Sequence, residues 1–231
     1  MDYLRGKIEM ENTGVCLNVG CGLVVAQGWQ NLDASPSLRI KQLPLIGQPL
    51  AKLLKAPQWP DEVMYGNIIQ GLNIPENSCD LIYASHVLEH LALLDFAVAM
   101  EHIYSYLKPG GIFRAIVPNI EHFVKIYIEQ KKDPNLAAQA SFNLMQDSLM
   151  GHTGTRKSLL VRCREIFSNY RHQWMWDGDS LSAAFEKHGF KNVQIRQYGE
   201  WSDNRFAQVE HPESFLDGIC LEGTKPKPPN S

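Results

Sequence analysis

The chain has 231 residues, of which 44% are hydrophobic, so it can bury one sizeable core and nothing in its length requires a second domain. The formal net charge of −3 and the pI near 6.2 argue against a broad basic surface for nucleic acid. The composition therefore predicts a single domain over residues 1–231 with no nucleic-acid partner.

The cysteines and the N-terminal segment indicate where such a protein resides. Five cysteines form no C-x-x-C pair and no dense framework, which is typical of buried thiols in a reducing compartment. The N-terminal segment MDYLRGKIEMEN is charged and polar, and no run approaches the roughly 18 apolar residues that a membrane-spanning helix needs. We therefore expect a cytoplasmic protein with no membrane partner.

The first predicted elements are two buried strands, residues 15–20 and 29–33, joined by a glycine-containing turn. The residues between them are too few for a full crossover helix, so the first helix should be reduced to a turn or so. Gly20 and Gly22 allow the backbone to approach a ligand closely, and Asp33 can accept hydrogen bonds from the hydroxyls of a ribose. This arrangement is typical of nucleotide binding.

The following elements continue an α/β pattern. Residues 36–63 hold five prolines around a possible short helix, QPLAKLLK, and the segments EVMYGNII and CDLIYAS predict strands. A helix is expected from His86 to Leu107, because Phe96, Met100 and Ile103 are spaced along one face. The segment LKPGG should end that helix, and IFRAIVP predicts the next strand.

The C-terminal half contains an insertion before the α/β pattern resumes. Residues 119–170 hold two or three helical stretches, EHFVKIYIEQKK, NLAAQASFNLMQDSLM and SLLVRCREIF, and an insertion of this size is a candidate lid. The segment DGDSLSAAFEKHGF then predicts a capped helix that ends at Gly189. NVQIRQY and FLDGICLEG predict two strands, and residues 224–231 are expected to form a disordered tail.

Five segments stand in an order that resembles class I S-adenosylmethionine-dependent methyltransferases over residues 14–223: LNVGCG, NLDASP, IPENSCDLIYASHVLEHL, LKPGGIFRAIVPN and HQWMWDGDSLSAAFEKHGFKNVQIRQYGE. They are most similar to a branch of small predicted methyltransferases with GW-x-N-x-D-x-S-P and SHVLEHL motifs. The resemblance implies a Rossmann-like, seven-stranded sheet with the last strand antiparallel and helices on both faces. It also implies S-adenosyl-L-methionine as cofactor.

The resemblance assigns cofactor contacts to particular positions. Gly20 and Gly22 would face the methionine part of the cofactor, Asp33 would hold the ribose hydroxyls, and Asn67 would meet the adenine edge. In a departure from the family pattern, Asn18 replaces the usual acid of the first motif, and Val24 replaces a third glycine. The implied cofactor-binding set is Asn18, Gly20, Cys21, Gly22, Asp33, Asn67, Ile68 and Ser85.

Two histidines are the predicted catalytic residues. Methyl transfer to a hydroxyl requires alignment of the nucleophile and removal of its proton. His86 follows the strand CDLIYAS at the sheet edge and is the first choice for general base, with a structural hydrogen bond as the alternative. His172 could approach the substrate between Trp174 and Trp176, or it could belong to an aromatic core cluster. For His90 we expect a packing role.

The motif HVLEH allows other interpretations. It matches the inverted zinc-peptidase signature H-x-x-E-H. It also resembles the E-x-x-E-H motif of certain methyltransferases, in which a distant histidine, here His152 or His172, completes a divalent-ion site. A nicotinamide-dinucleotide dehydrogenase is disfavoured, because Val25 stands at the third glycine of its G-x-G-x-x-G fingerprint. A non-catalytic nucleotide-binding module stays open. The prediction assigns no metal ligand.

We therefore predict O-methylation of a small or medium polar acceptor, a small molecule, saccharide or peptide, in natural-product or glycan biosynthesis. The preference for oxygen rests on the histidines and on the absence of an N-P-P-Y motif, which accompanies amine substrates in other methyltransferases; N-methylation is the alternative. No pattern in the chain indicates an oligomeric state. Aromatic residues of the insertion are expected to be core or to line an acceptor pocket: Phe123, Tyr127, Phe142, Phe167 and Tyr170.

Overall fold

A seven-stranded sheet forms the centre of the fold in a computed structural model that describes residues 14–54, 56–151 and 171–229. Its order is β3-β2-β1-β4-β5-β7-β6. β7 is antiparallel to both of its neighbours, and the other pairs are parallel. The predicted Rossmann-like sheet with an antiparallel last strand is confirmed. The strands are β1 Val15–Val19, β2 Trp29–Asp33, β3 Val63–Tyr65, β4 Cys79–Ser85, β5 Leu107–Pro118, β6 Lys191–Arg196 and β7 Gly218–Thr224.

Helices of different length and type connect these strands. Two short helices lie between β2 and β3, and a longer one joins β4 to β5. The α-helices are α1 Pro36–Lys41, α2 Gly47–Leu53, α3 Leu93–Tyr106, α4 Ile120–Lys132, α5 Ala140–Asp147 and α6 Gly178–Lys187. The 3-10 helices are Leu88–His90, Asn204–Gln208 and Pro212–Phe215.

The two faces of the sheet are covered by different kinds of helix. Ile82 and Tyr83 are neighbours in β4 and therefore point to opposite faces. On the first face, Met100 of α3 and Phe185 of α6 belong to the same buried core as Ile82. On the second face, Phe206 of the 3-10 helix Asn204–Gln208 packs against Tyr83. Phe215 of the 3-10 helix Pro212–Phe215 packs against this second core as well, so helices lie on both faces as predicted, and those described on the second face include two 3-10 helices.

The connection between β1 and β2 contains turns and no helix. The side chain of Asn31 holds it in place: Oδ1 accepts the N–H of Ala26 at 3.1 Å, and Nδ2 donates to the carbonyls of Ala26 and Trp29, both at 3.1 Å. Asn18 donates to the same Oδ1 at 3.2 Å. The first helix, predicted to be reduced to a turn or so, is therefore absent. The buried amide of Asn31 instead pairs with backbone groups of Ala26 and Trp29.

The segment after β4 differs from the prediction of a helix that begins at His86. His86 has a φ of 54°, and its N–H donates to the carbonyl of Ile116 at 2.9 Å, so the chain is still attached to the sheet there. The 3-10 helix Leu88–His90 follows, and α3 begins only at Leu93. The apolar positions predicted inside the helix are buried, whereas Leu107 begins β5. The helical spacing was read correctly, and the start of the helix was wrong.

The insertion after β5 contains two described helices, α4 and α5, which contact each other. They correspond to the first two predicted stretches. The third, SLLVRCREIF, lies outside the described residues, as do Phe167 and Tyr170. After the insertion, Asp177 and Ser180 form a reciprocal capping box at the start of α6, as the sequence predicts. The lid role of the insertion stays a prediction.

The C-terminal segment is hydrogen-bonded somewhat further than expected. β7 extends to Thr224, and the carbonyl of Lys225 accepts the N–H of Gly110 at 2.7 Å. The ammonium of Lys225 also donates to the carbonyl of Tyr104 at 2.8 Å. The packed part of the chain therefore extends two residues into the predicted tail.

The described cysteines lie inside the fold, as the sequence predicts. Cys16, Cys21, Cys79 and Cys220 are buried free thiols, and Cys163 lies outside the described residues. Within the described ranges, no helix is both long enough and apolar enough to cross a membrane.

A buried arginine connects the second face of the sheet to the C-terminal segment. Arg114 of β5 is fully buried, and its guanidinium donates to Glu210 and to Glu222 of β7, both at 2.7 Å. It also donates to the carbonyl of Glu200 at 2.9 Å. A buried charge is tolerated when it is paired and hydrogen-bonded, so these contacts depend on one another.

We expect Arg114→Met to lower the free energy of unfolding by about 3 to 5 kcal/mol, because it leaves the buried carboxylate of Glu210 without its cation and that of Glu222 with the more exposed Arg196. The measurement is urea denaturation monitored by circular dichroism. Lys132→Met is the control, since its ion pair with Glu129 is exposed, and it should change the stability by less than about 0.5 kcal/mol. Equal effects of the two substitutions would contradict the assignment.

Candidate active site

A cavity of about 430 Å³ opens where the carboxyl ends of β1, β2 and β4 meet. In open α/β sheets, ligands bind in this crevice. Its volume lies in the range of sites for small molecules and cofactors. The cavity is lined by Val19, Gly20, Asp33, Ala34, Ser35, Pro36, Gly66, Asn67, Ile68, Ile69, His86, Val87, His90 and Leu91.

Asp33 organises one end of the cavity. Its Oδ2 accepts the N–H of Gly22 at 3.0 Å, and its Oδ1 accepts the N–H of Ser35 at 2.7 Å. The carboxylate is thereby oriented by the two loops that flank it. Each carboxylate oxygen accepts more than one hydrogen bond, so capacity is left for the hydroxyls of a ligand.

The glycine turn lies beside this carboxylate. Gly20 has a φ of 68°, and a Cβ there would lie 2.3 Å from Cγ2 of Val87, which lines the same cavity. Gly22 has a φ of 57°, and a Cβ there would meet no atom within 4 Å. Cys21, which lies between them, is buried. Burial is the main cause and the charge of Asp33 the second cause that raise the pKa of its thiol to about 12. Cys21 is therefore a neutral thiol at physiological pH.

The other predicted cofactor residues divide into two groups. Asn67 and Ile68 line the cavity. The Oδ1 of Asn67 accepts the N–H of Ile69 at 2.9 Å, which leaves its Nδ2 donor for a ligand. Asn18 and Ser85 are not among the lining residues, and Asn18 is engaged with Asn31.

His86 lines the cavity after β4, which is separated by β1 from the strand that carries Asp33, and both of its ring nitrogens lie close to oxygen atoms. Nδ1 lies 3.3 Å from Oε1 of Glu89, and Nε2 lies 3.3 Å from the carbonyl of Ser214. Burial lowers the pKa of His86, but the Glu89 contact and the Ser214 carbonyl outweigh it, so the net shift is upward. In a neutral His86 the nitrogen without a proton faces Glu89 or the Ser214 carbonyl, so it can reach the hydroxyl of a ligand only after that contact is released.

His172 lies beside His90 and Glu89 rather than on the cavity wall. Its Nδ1 lies 2.8 Å from the carbonyl of Ser148, and the rings of His172 and His90 are 5.2 Å apart. Burial lowers the pKa of His172, with Glu89 opposing the shift. Of the two predicted catalytic histidines, the structure brings only His86 to the cavity, and His90, predicted to pack, is there as well. His152 lies outside the described residues.

Several lining residues were missed by sequence reasoning. Ala34, Ser35 and Pro36 directly follow β2, and Gly66 directly follows β3. A Cβ at Gly66 would lie 2.9 Å from Leu72, which shows how closely the chain passes there. Their shared signal is position, because the residues after a parallel strand reach the ligand crevice whatever their chemistry.

Comparison with known families decides the class of the chain. A family described as a methyltransferase domain matches residues 11–195. The chain belongs to the methyltransferase domain family. It is therefore an S-adenosylmethionine-dependent methyltransferase, as the resemblance implies, and this class replaces the peptidase and dehydrogenase alternatives.

Solved structures with a similar fold include three methyltransferases. A putative methyltransferase of Haloferax volcanii, in complex with the Trm112 activator, is 15% identical, with a TM-score of 0.48 over 97% of this chain and 87% of that one. A possible histamine N-methyltransferase of Thermotoga maritima is 15% identical, with a TM-score of 0.47 and coverages of 94% and 84%. A methyltransferase of Archaeoglobus fulgidus is 14% identical, with a TM-score of 0.48 and coverages of 93% and 87%. A comparison with curated proteins gives no match.

The residues of the cavity fit S-adenosylmethionine. The buried carboxylate of Asp33 suits the two hydroxyls of a ribose, and Gly20 lines the same cavity, whereas the predicted contacts Cys21 and Gly22 are not among its lining residues. The free Nδ2 of Asn67 can donate to a ring nitrogen of adenine. When bound, the cofactor supplies an electrophilic methyl group on a sulfonium.

We expect Asp33→Asn to weaken S-adenosylmethionine binding by at least tenfold, because hydrogen bonds to a charged group contribute about 1.5 to 3 kcal/mol. Isothermal titration calorimetry measures the change. Asp61→Asn is the matched control, since Asp61 is exposed and paired with Lys41 outside the cavity lining, and it should bind as the wild type does. Unchanged affinity in a folded Asp33→Asn protein would remove Asp33 from the ribose role.

Proposed function

We propose that this methyltransferase transfers the methyl group to an oxygen of a small or medium polar acceptor, which lies between the cofactor and His86. The observation that carries the proposal is the cavity itself. Its lining includes Asp33 after β2, Gly20 after β1, and two imidazoles, His86 and His90, after β4. Such a site can hold a donor and a polar acceptor side by side.

The transfer needs alignment more than covalent catalysis. A bond forms between the acceptor oxygen and the methyl carbon while the bond between that carbon and sulfur breaks, and its electron pair stays on sulfur. The hydroxyl proton leaves to a base or to solvent. The protein's part is to hold the acceptor in line and to favour loss of the proton.

His86 is the residue that we place next to the acceptor. It projects from the edge of the sheet at a φ of 54°, and its backbone N–H is fixed by Ile116. The general-base role predicted from sequence stays a prediction, because the ring must first give up its contact with Glu89 or with Ser214.

The insertion of residues 119–170 is proposed as a lid over the acceptor. It leaves the sheet at the end of β5, next to the strand that carries His86. The carbonyl of Ser148, one residue after α5, contacts His172. Within the insertion, Ile128, Phe142 and Met145 are large apolar side chains exposed to solvent. An acceptor with an apolar part would cover such side chains.

The test is an acceptor screen with S-adenosylmethionine labelled with ¹³C at the methyl group, using monosaccharides, phenols, peptides with free carboxylates and primary amines. We expect a product whose labelled methyl carbon is bonded to oxygen in the NMR spectrum. A product labelled on nitrogen or carbon would contradict the proposal. Natural-product or glycan biosynthesis and a cytoplasmic location stay predictions.

We expect His86→Ala to lower kcat by about 10²- to 10⁴-fold on an acceptor found in this way, the range for loss of a positioned acid–base group. The affinity for S-adenosylmethionine should change far less. His188→Ala serves as control, because His188 lies at the end of α6, outside the cavity lining. Full turnover by the His86 variant would remove this residue from the reaction.

A further inference from the structure

Glu89 presents an electrostatic problem that the methyltransferase fold alone does not resolve. Its side chain is fully buried, and neither carboxylate oxygen has a hydrogen-bond partner among the described residues. Burying an ionised carboxylate is costly unless a positive charge or hydrogen bonds compensate it.

Three imidazole nitrogens face the same oxygen of this carboxylate. Nδ1 of His86 lies 3.3 Å from Oε1 of Glu89, Nε2 of His90 lies 3.8 Å away, and Nε2 of His172 lies 4.0 Å away. The ligand atoms of Glu89, His90 and His172 all lie within 4.8 Å of one another. Glu89 is thus the centre of a histidine cluster.

The outer nitrogen of each imidazole contacts a backbone carbonyl. His86 reaches Ser214 at 3.3 Å, His90 reaches Arg171 at 3.0 Å, and His172 reaches Ser148 at 2.8 Å. A carbonyl only accepts, so the outer nitrogen carries the proton, and in a neutral ring the inner nitrogen presents a lone pair. This is the arrangement of histidines that bind metal ions. In a neutral cluster, lone pairs would therefore converge on a buried carboxylate.

The backbone holds the two halves of the cluster together. The carbonyl of Glu89 accepts the N–H groups of Gln173 at 2.7 Å and Trp174 at 3.2 Å. The side chain of Gln173 donates to the carbonyl of His90 at 2.8 Å. The segment that carries His172 is therefore fixed against the one that carries Glu89 and His90.

We propose that Glu89, His90 and His172 bind a divalent first-row transition-metal ion, with Zn²⁺ the best fit. Two imidazoles and a carboxylate form the ligand set of catalytic zinc sites, which keep a fourth position open. With metal–ligand bonds of about 2.0 to 2.2 Å, two ligand atoms lie about 3 to 4 Å apart, close to the separations between Glu89 and the two histidines. Ions that prefer carboxylate and water ligands, such as Mg²⁺, fit a histidine-rich ligand set less well.

An ion held by these residues would lie beside the cavity, because His90, one of its ligands, lines that cavity together with His86. A catalytic role of the ion rests on the proposed function. A cation there would favour loss of the proton from an acceptor hydroxyl, so that no free histidine nitrogen would be needed as the base. Metal binding itself does not depend on the identity of the acceptor.

Calorimetric titration of the chelator-treated full chain with ZnCl₂ tests the site, with the absorption spectrum of the Co²⁺ form as a second measurement. We expect one Zn²⁺ per chain, and binding at least tenfold weaker in Glu89→Gln and His172→Gln. His188→Gln is the matched control, because the Nδ1 of His188 also contacts a carbonyl, that of Ala184 at 2.7 Å, and it should bind Zn²⁺ normally. Circular dichroism establishes that each variant is folded.

Two results would overturn the site: no Zn²⁺ binding by the folded wild-type chain, or unchanged binding in a folded His172→Gln protein. Should a variant fail to fold, the Co²⁺ spectrum of the wild type decides, since a tetrahedral site with nitrogen ligands supports the assignment and hexahydrated cobalt contradicts it.

S-adenosylmethionine titrated in parallel separates the two proposals. Zn²⁺ binding without transfer to any hydroxyl would contradict the proposed function, and O-methylation that is insensitive to chelation would contradict the catalytic role of the ion.

Discussion

The two hydrogen bonds that Asp33 accepts from Gly22 and Ser35 are the constraint on which the site depends. They join the turn after β1 to the loop after β2, so that a carboxylate and a glycine turn share one wall of the cavity. A ligand anchored there lies across the carboxyl ends of the parallel strands and reaches towards His86. The N–H groups of Gly20 and Cys21 also donate to the carbonyl of Leu32, so loss of the two Asp33 bonds would free the carboxylate without detaching the turn from β2.

This arrangement persists although the chain lacks the first helix of a typical unit. The amide of Asn31 pairs with the backbone of Ala26 and Trp29 and thereby supports the short connection from inside. Asn18, which stands where the family has an acid, donates to the same amide. The departure from the family pattern at Asn18 is therefore explained by support of the loop.

The sequence predicted the sheet well, because buried strands and turn residues leave local signals. β4, β6 and the capped helix α6 lie where their patterns placed them. The start of α3 could not be predicted, since HVLEHL has helical composition while a tertiary hydrogen bond from His86 to Ile116 keeps it attached to the sheet. In the site, Asp33 and Gly20 could be predicted because they belong to the recognisable motifs NLDASP and LNVGCG. The HVLEH motif with His172 as a distant ligand was one of the alternatives, but the burial of Glu89 at the centre of the histidines could not be predicted, because His172 is 83 residues away and meets it only through the fold.

The chemistry proposed for the cavity rests on two carboxylates with different surroundings, Asp33 in its wall and Glu89 behind His86 and His90. Asp33 accepts backbone N–H groups, whereas the imidazoles of His86 and His90 face Glu89. The first suits the sugar of the donor, and the second would lie near the acceptor in the function that we propose. A crystal structure of the chain with S-adenosylhomocysteine tests this account most directly. We predict both ribose hydroxyls within hydrogen-bond distance of the Asp33 carboxylate and the sulfur directed towards His86. A nucleoside bound away from Asp33, or a sulfur directed away from the histidines, would contradict it.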